Sequence, residues 1–294
     1  MKFGRTDHPE KIDFTLPPDH PDTAEILKKF KSDDPFEVYV GCAKWNKADL
    51  KGFYPRGTKD ELAYYSRQFN SIELNATFYN SPDKNQVVTW KEKTPSDFKF
   101  FPKIPQTVSH YRRLNDVKNL TEDFADSVSM FEEKLGMVFL QMIDNFKPKF
   151  IDRVESFASE FPKGVPLAIE VRNEDWFNGE IFDAYYDILK KNDITNIIVD
   201  AAARRDMLHM RLSNDAAFIR YVGANHKSDY SRLEDWVERI KIWRSQGLRK
   251  LYFFIHQNIE KESPLLAEHF IKLLNAELGL SLKIPNSPDN PLGF

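Results

Sequence analysis

Two polar pairs interrupt otherwise apolar runs of this 294-residue chain: Glu73 with Asn75, and Glu170 with Arg172. A spacing of two places each pair on one face of an extended strand. A carboxylate in an apolar strand must face a polar interior or be paired. If both pairs face one pocket, Glu73 and Glu170 can hold different pKa values and act as general acid and base, with His110 assisting. The competing expectation is that the glutamates form structural ion pairs, Glu170 with Arg172 or Glu73 with Lys103.

Cations gather at similar places. Lys44, Lys103, Arg112, Arg113, Arg172, Arg204, Arg205 and Arg220 stand at or just past strand-like runs. Guanidinium forks suit phosphates and carboxylates, so Arg172, Lys103 and Arg220 are expected to hold the anionic part of a ligand. Asn75 and Gln141 would orient it, and Trp45 and Trp176 would form the walls. Trp45, Phe78, Tyr79, Tyr111 and Trp176 could stack on sugar rings or unpaired bases. With 24 phenylalanines in the chain, packing of these rings on a rim is the plainer expectation.

Cys42, beside Lys44, is a nucleophile only if its thiol is activated; a strand-end cysteine is more often a small buried hydrophobe. No HxH, HExxH or cysteine cluster occurs. A divalent metal would have to be gathered from Glu73, His110, Glu170, Asp200 and His256, and no metal or other cofactor is predicted.

The elements that position these residues recur along the chain. Candidate strands are Val38–Cys42, Ser71–Asn75, Phe98–Ile104, Met137–Met142, Leu167–Arg172, Asn196–Asp200, Phe218–Val222 and Leu251–His256. Most are nearly continuous apolar runs, as in parallel strands buried on both faces. Helical stripes intervene: Phe124, Val128, Phe131 and Leu135; then Phe150, Val154, Phe157 and Phe161; then Leu266, Phe270 and Leu273. Thr58 with Glu61 and Ser231 with Glu234 match the capping box, and Ser81-Pro82 and Ser263-Pro264 place proline at the first helical position after a capping serine.

Strand ends recur about every 31 residues, the length of a βαβ unit. Eight such units predict an α/β protein with a single (β/α)8 TIM-type barrel. The shortest step, Asp200 to Val222, predicts a truncated sixth helix. No GxGxxG or GxxxxGK[ST] follows a strand, which argues against a nucleotide-binding open sheet. Residues 1–36 read as an N-terminal extension packed on a barrel domain of residues 37–284, with a proline-punctuated tail at 285–294.

The net charge of −3 gives no global attraction to nucleic acid, although a local basic patch could still bind it. One cysteine, no leader-like N-terminus and no long apolar run predict a cytoplasmic protein without a membrane partner.

The segments at the strand ends resemble the DUF72 (YecE-like) family. The matching stretches are GCAKW at 41–45, FNSIELNATFY at 69–79, FFPKIP at 100–105, SHYRRL at 109–114, QMIDNF at 141–146, EVRNEDW at 170–176 and RYVG at 220–223. The likeness runs from about residue 37 to 283. Lys44 stands where the family usually has glycine, Ser109 where it has threonine, Ile143 where it has proline and Val222 where it has histidine. The resemblance implies a TIM-type barrel and supplies no reaction.

Two functional expectations follow from the residues. One is a hydrolase-type enzyme acting on a phosphate- or sugar-containing substrate at the C-terminal mouth of the barrel. The other is a non-catalytic protein holding nucleic acid or a metabolite in the same basic and aromatic mouth.

Overall fold

The computed structural model describes residues 4–286. Eight parallel strands run β1 Glu37–Cys42, β2 Ser71–Leu74, β3 Lys99–Pro102, β4 Val138–Gln141, β5 Leu167–Glu170, β6 Thr195–Ala201, β7 Ala216–Gly223 and β8 Lys250–Gln257. Their order is β3-β2-β1-β8-β7-β6-β5-β4, and bridges Phe100–Leu135 and Lys103–Phe139 join the two ends. The chain is therefore a (β/α)8 barrel, as its spacing predicts.

The helices are α1 Pro21–Lys28, α2 Glu61–Tyr65, α3 Ala76–Tyr79, α4 Lys84–Glu92, α5 Lys118–Val128, α6 Ile151–Glu160, α7 Gly179–Lys191, α8 Ser228–Gln246 and α9 Ser263–Leu278. Their apolar stripes cover the outside of the barrel: Val128, Val154 and Phe270 are fully buried there. Of the four start signals, only Ser263-Pro264 stands at a helix start, and there Glu262 takes the cap position, which puts Ser263 first and Pro264 second in the helix. Asp60 caps α2 and Asp83 caps α4, because each carboxylate accepts the backbone N–H three residues on; Ser231 lies inside α8.

Inside the barrel, alternate residues of each strand form a second core. Phe101 packs against Tyr39, Phe218, Tyr252 and Phe254 with ring centroids 4.8–6.3 Å apart. These rings fill the lower barrel, so any site must lie above them, at the C-terminal ends of the strands.

Between β6 and β7 there is no α-helix, only a 3-10 turn at Arg205–Met207. The sixth helix is thus missing rather than merely short, and α1 lies in its place between α7 and α8. Thr23 donates to the Met210 carbonyl at 2.8 Å. Arg211 pairs with Asp22 of α1 and with Asp183 of α7, and lies 3.9 Å above the Tyr186 ring. Asp19 accepts from Trp243 of α8 at 2.9 Å and pairs with Arg239. At the start of the described chain, Gly4 is buried against Ala201 and Val222. Of the tail expected at 285–294, residues 287–294 lie outside the described residues.

Candidate active site

Directly above the aromatic plug, the same inward faces carry polar side chains. Phe101 is followed by Lys103, Phe139 by Gln141, Ala168 by Glu170, Phe218 by Arg220 and Phe254 by His256. With Glu73 of β2 they form one connected network. Arg220 donates from Nε to Glu73 Oε2 at 2.8 Å, from Nη2 to Glu73 Oε1 at 2.9 Å and from Nη1 to Glu170 Oε2 at 2.7 Å. Glu73 and Glu170 are essentially unexposed. The sequence places the two glutamates three strands apart; a single guanidinium joins them.

The remaining lone pairs are also occupied. Asn75 Nδ2 donates to Glu73 Oε1 at 2.8 Å, and His256 Nε2 lies 3.0 Å from Glu73 Oε2. The same Nε2 lies 3.3 Å from Arg220 Nη2; the carboxylate only accepts and the guanidinium only donates, so the tautomer of His256 decides which of the two contacts is a hydrogen bond. Gln141 Nε2 donates to Glu170 at 3.0 Å, and Arg172 Nε donates to the same carboxylate at 2.5 Å. Asn75 has left the strand for a helical backbone geometry and Arg172 lies just past β5, yet both side chains reach back as their spacing suggests.

Electrostatics follow from this pairing. Burial pushes the Glu170 carboxyl up, but Arg220 and Arg172 outweigh it and hold it at about 2. Burial likewise opposes ionisation of Glu73, and Arg220 and His256 hold it well below the usual range. Held as anions in this way, the two carboxylates form the ion-pair network that the sequence offered as the alternative to an acid/base pair. Of the two structural pairs anticipated, Glu170–Arg172 forms; Glu73 pairs with Arg220 rather than Lys103.

Lys103 differs from the other cations of the mouth. Its ammonium donates to Gln141 Oε1 at 2.7 Å and lies 4.2 Å from the Phe78 ring centre. Among the described residues no carboxylate is within ion-pair distance of it. Burial, with Arg220 and Arg172 nearby, lowers its pKa to about 7. Sequence reasoning cast Lys103 as an anion clamp, because a lysine's pKa depends on surroundings that only folding assembles.

His110 is half-buried, 2.9 Å from Ser109 Oγ and edge-on to Phe78. Burial and Lys103 lower it to about 4, leaving the ring neutral at pH 7. It makes no hydrogen bond or ion pair with either glutamate among the described residues.

Trp45 lines a cavity beside the network and packs edge-on against Trp90. Trp176 is fully buried, stacked on Phe146 and donating to the Phe146 carbonyl at 2.6 Å, so it walls no ligand site. Cys42 is buried on the outer face of β1, and burial pushes its thiol well up, which removes it as a nucleophile. Asp200 turns outward to Arg232 and Trp236 of α8, away from the other proposed metal ligands. Among the described residues no three His, Cys, Asp or Glu side chains converge as a metal site requires. His256 and Phe78, which the sequence offered only as a metal ligand and a stacking ring, join the network as a neighbour of Glu73 and the ring against Lys103. The inward phase of β8, set by Tyr252 and Phe254, is the signal for His256.

A closed parallel barrel carrying a buried polar network at the C-terminal ends of its strands defines a TIM-barrel protein. The chain belongs to the DUF72 family, described as a protein of unknown function, whose model matches residues 39–290. It is 25% identical over 252 residues to the UPF0759 protein YecE of Escherichia coli K12, spanning 78% of this chain and 89% of that protein. It is 26% identical over 176 residues to the UPF0759 protein YunF of Bacillus subtilis 168, spanning 55% and 60% of the two. A DUF72 family protein of Thermotoga maritima superposes with TM-score 0.64 and 26% identity over 81% of this chain and 99% of that one. One from Enterococcus faecalis superposes with TM-score 0.69 over 86% and 99%, at 18% identity.

Val222 faces the buried Gly4. An apolar residue suits that contact, and the N-terminal segment therefore occupies the β6–β7 rim of the mouth.

Proposed function

We propose that the mouth is the active site of an enzyme performing hydrolase-type acid/base chemistry on a small phosphate- or sugar-containing substrate, with Lys103 as the proton-transferring group. The observation that carries this reading is the Lys103 amine, buried against Phe78, unpaired by any described carboxylate and titrating near neutrality. A general base is most effective when its pKa lies near the working pH. As a neutral amine Lys103 can take a proton from an attacking water; as an ammonium it can return one to a leaving group. Glu73 and Glu170 act through Arg220, and Gln141 fixes Lys103 as a positioning residue. A mouth that holds a polyanion has less support, since Lys44, Arg204 and Arg205 each pair with an aspartate of this chain.

A panel of phosphate esters and glycosides tests the proposal. Turnover should rise with pH through about 7 and fall by about 10²–10⁴-fold in Lys103→Met. Glu170 raises the Lys103 pKa, so Glu170→Gln should shift the midpoint of that rise to lower pH. Undiminished turnover in folded Lys103→Met, or a midpoint unmoved in Glu170→Gln, overturns the assignment.

A further inference from the structure

We infer that the cavity between the β1 end and α3 is a subsite for a single sugar ring, walled by Trp45 and Tyr79. Its location rests on the active-site reading, but its chemistry is independent of which residue moves a proton. The cavity measures about 270 Å³, just under the ~300–1,000 Å³ of pockets for drug-sized ligands, which suits one ring rather than an extended molecule.

The walls suit a ring with an apolar face and hydroxyl edges. Trp45 is half-buried, while Tyr79 is 67% exposed and braced only from one side, edge-on by Phe78. An aromatic held open at a cavity rim offers its apolar face to a C–H surface. Each sugar hydroxyl both donates and accepts, and the polar lining offers both functions. Asn75 has spent its Nδ2 on Glu73 and keeps its carbonyl oxygen for a donor. The Lys44 ammonium, 3.5 Å from Asp49, supplies the donor, while Asn46 has both ends of its amide engaged with Asp49 and only shapes the wall. A nucleobase would present a flat edge with a fixed donor and acceptor pattern, and this lining does not single one out.

The cavity also sits correctly for the proposed chemistry. Its floor includes Glu73 and Asn75 of the central network. The turn bearing Asn75 and Tyr79 is tied to Lys103 through Thr77, whose hydroxyl donates to the Lys103 carbonyl at 2.7 Å. Gly4 is seated on the opposite, β6–β7 side of the mouth, clear of this cavity. Larger cavities of about 380 and 400 Å³ lie at the N-terminal end of the barrel and between α5 and α6, and one of about 290 Å³ lies between α6 and α7, all away from the network.

Calorimetric titration of the full chain with ribose, glucose, ribose 5-phosphate, glucose 6-phosphate and adenine tests this. The neutral sugars should bind in the millimolar range and their phosphates more tightly. Tyr79→Ala and Trp45→Ala should weaken every sugar ligand tenfold or more. No binding of any sugar, sugar binding unchanged in both aromatic variants, or adenine binding more tightly than ribose overturns the subsite. Sugar binding without turnover of any ester or glycoside overturns the active-site reading and leaves the subsite standing; turnover of sugar-free phosphate esters alone does the reverse.

Discussion

Arg220 is the residue on which the mouth depends. It is buried, and it neutralises Glu73 and Glu170, which are buried with it. Removing one partner of a buried ion pair leaves uncompensated charge and costs about 3–5 kcal/mol. Arg220→Met should therefore lose at least that much stability in urea unfolding at pH 7, whereas exposed pairs such as Lys190–Asp187 should cost under about 1 kcal/mol. Both glutamates titrate below their unfolded values, so their stabilisation is complete above about pH 4.5 and is lost as the pH falls toward 2. The gap in stability between the parent protein and Arg220→Met should narrow over that interval. A gap independent of pH would contradict the network.

At the scale of elements, the substitution of α1 for the missing sixth helix explains why an N-terminal segment is attached to this barrel. A barrel with only a 3-10 turn between β6 and β7 would expose the flanks of α7 and α8. Leu27 and Ile26 bury against that gap, and Arg211 gains a second carboxylate there. Gly247, at the end of α8, has a φ of +131°, and a Cβ there would stand 2.1 Å from the Leu27 carbonyl oxygen. Leu27→Ala should destabilise by about 2–5 kcal/mol, as truncation of a fully buried leucine does. Gly247→Ala should also lower the melting temperature, through backbone strain and that clash. If both variants melt as the parent does, α1 is not seated as described.

At the scale of the molecule, the barrel has a seam. β7 and β8 pair along eight residues, whereas β3 and β4 meet only through two isolated bridges. The amides of Gly136 and Ile104 carry the hydrogen bonds across this seam, to Phe100 and Phe139. Lys103 and Gln141 reinforce it with a side-chain bond at 2.7 Å. Regions with few cross-strand bonds open at lower free energy than the global transition. Native-state hydrogen exchange should find the Gly136 and Ile104 amides at least tenfold less protected than those of Ile219 and Phe253. Gln141→Leu should widen the difference, and uniform protection around the barrel would exclude a seam. The proposed catalytic lysine thus lies at one of the thinly paired junctions of the barrel, of which β1–β2 and β5–β6, with two paired positions each, are others.

Sequence alone determined the barrel and the inward faces of its strands. Continuous apolar runs mark parallel strands buried on both sides, and their spacing counts the units. Alternation then places Glu73, Lys103, Gln141, Glu170 and Arg220 at one end, because side-chain direction in a strand is local geometry. Partner choice is not local. Glu73 and Arg220 are 147 positions apart, and only closure of the sheet brings β2, β5 and β7 around one guanidinium. The same closure converts the glutamates from candidate acids into fixed anions and lowers Lys103 toward neutrality, since both shifts depend on burial and on neighbours from other strands. Trp176 reads as a mouth residue by its position after β5, yet its loop folds it onto Phe146. The short β6–β7 interval announced a truncated helix; that the helix is absent and that α1 fills the vacancy was decided by packing, because the complementary surfaces come from opposite ends of the chain.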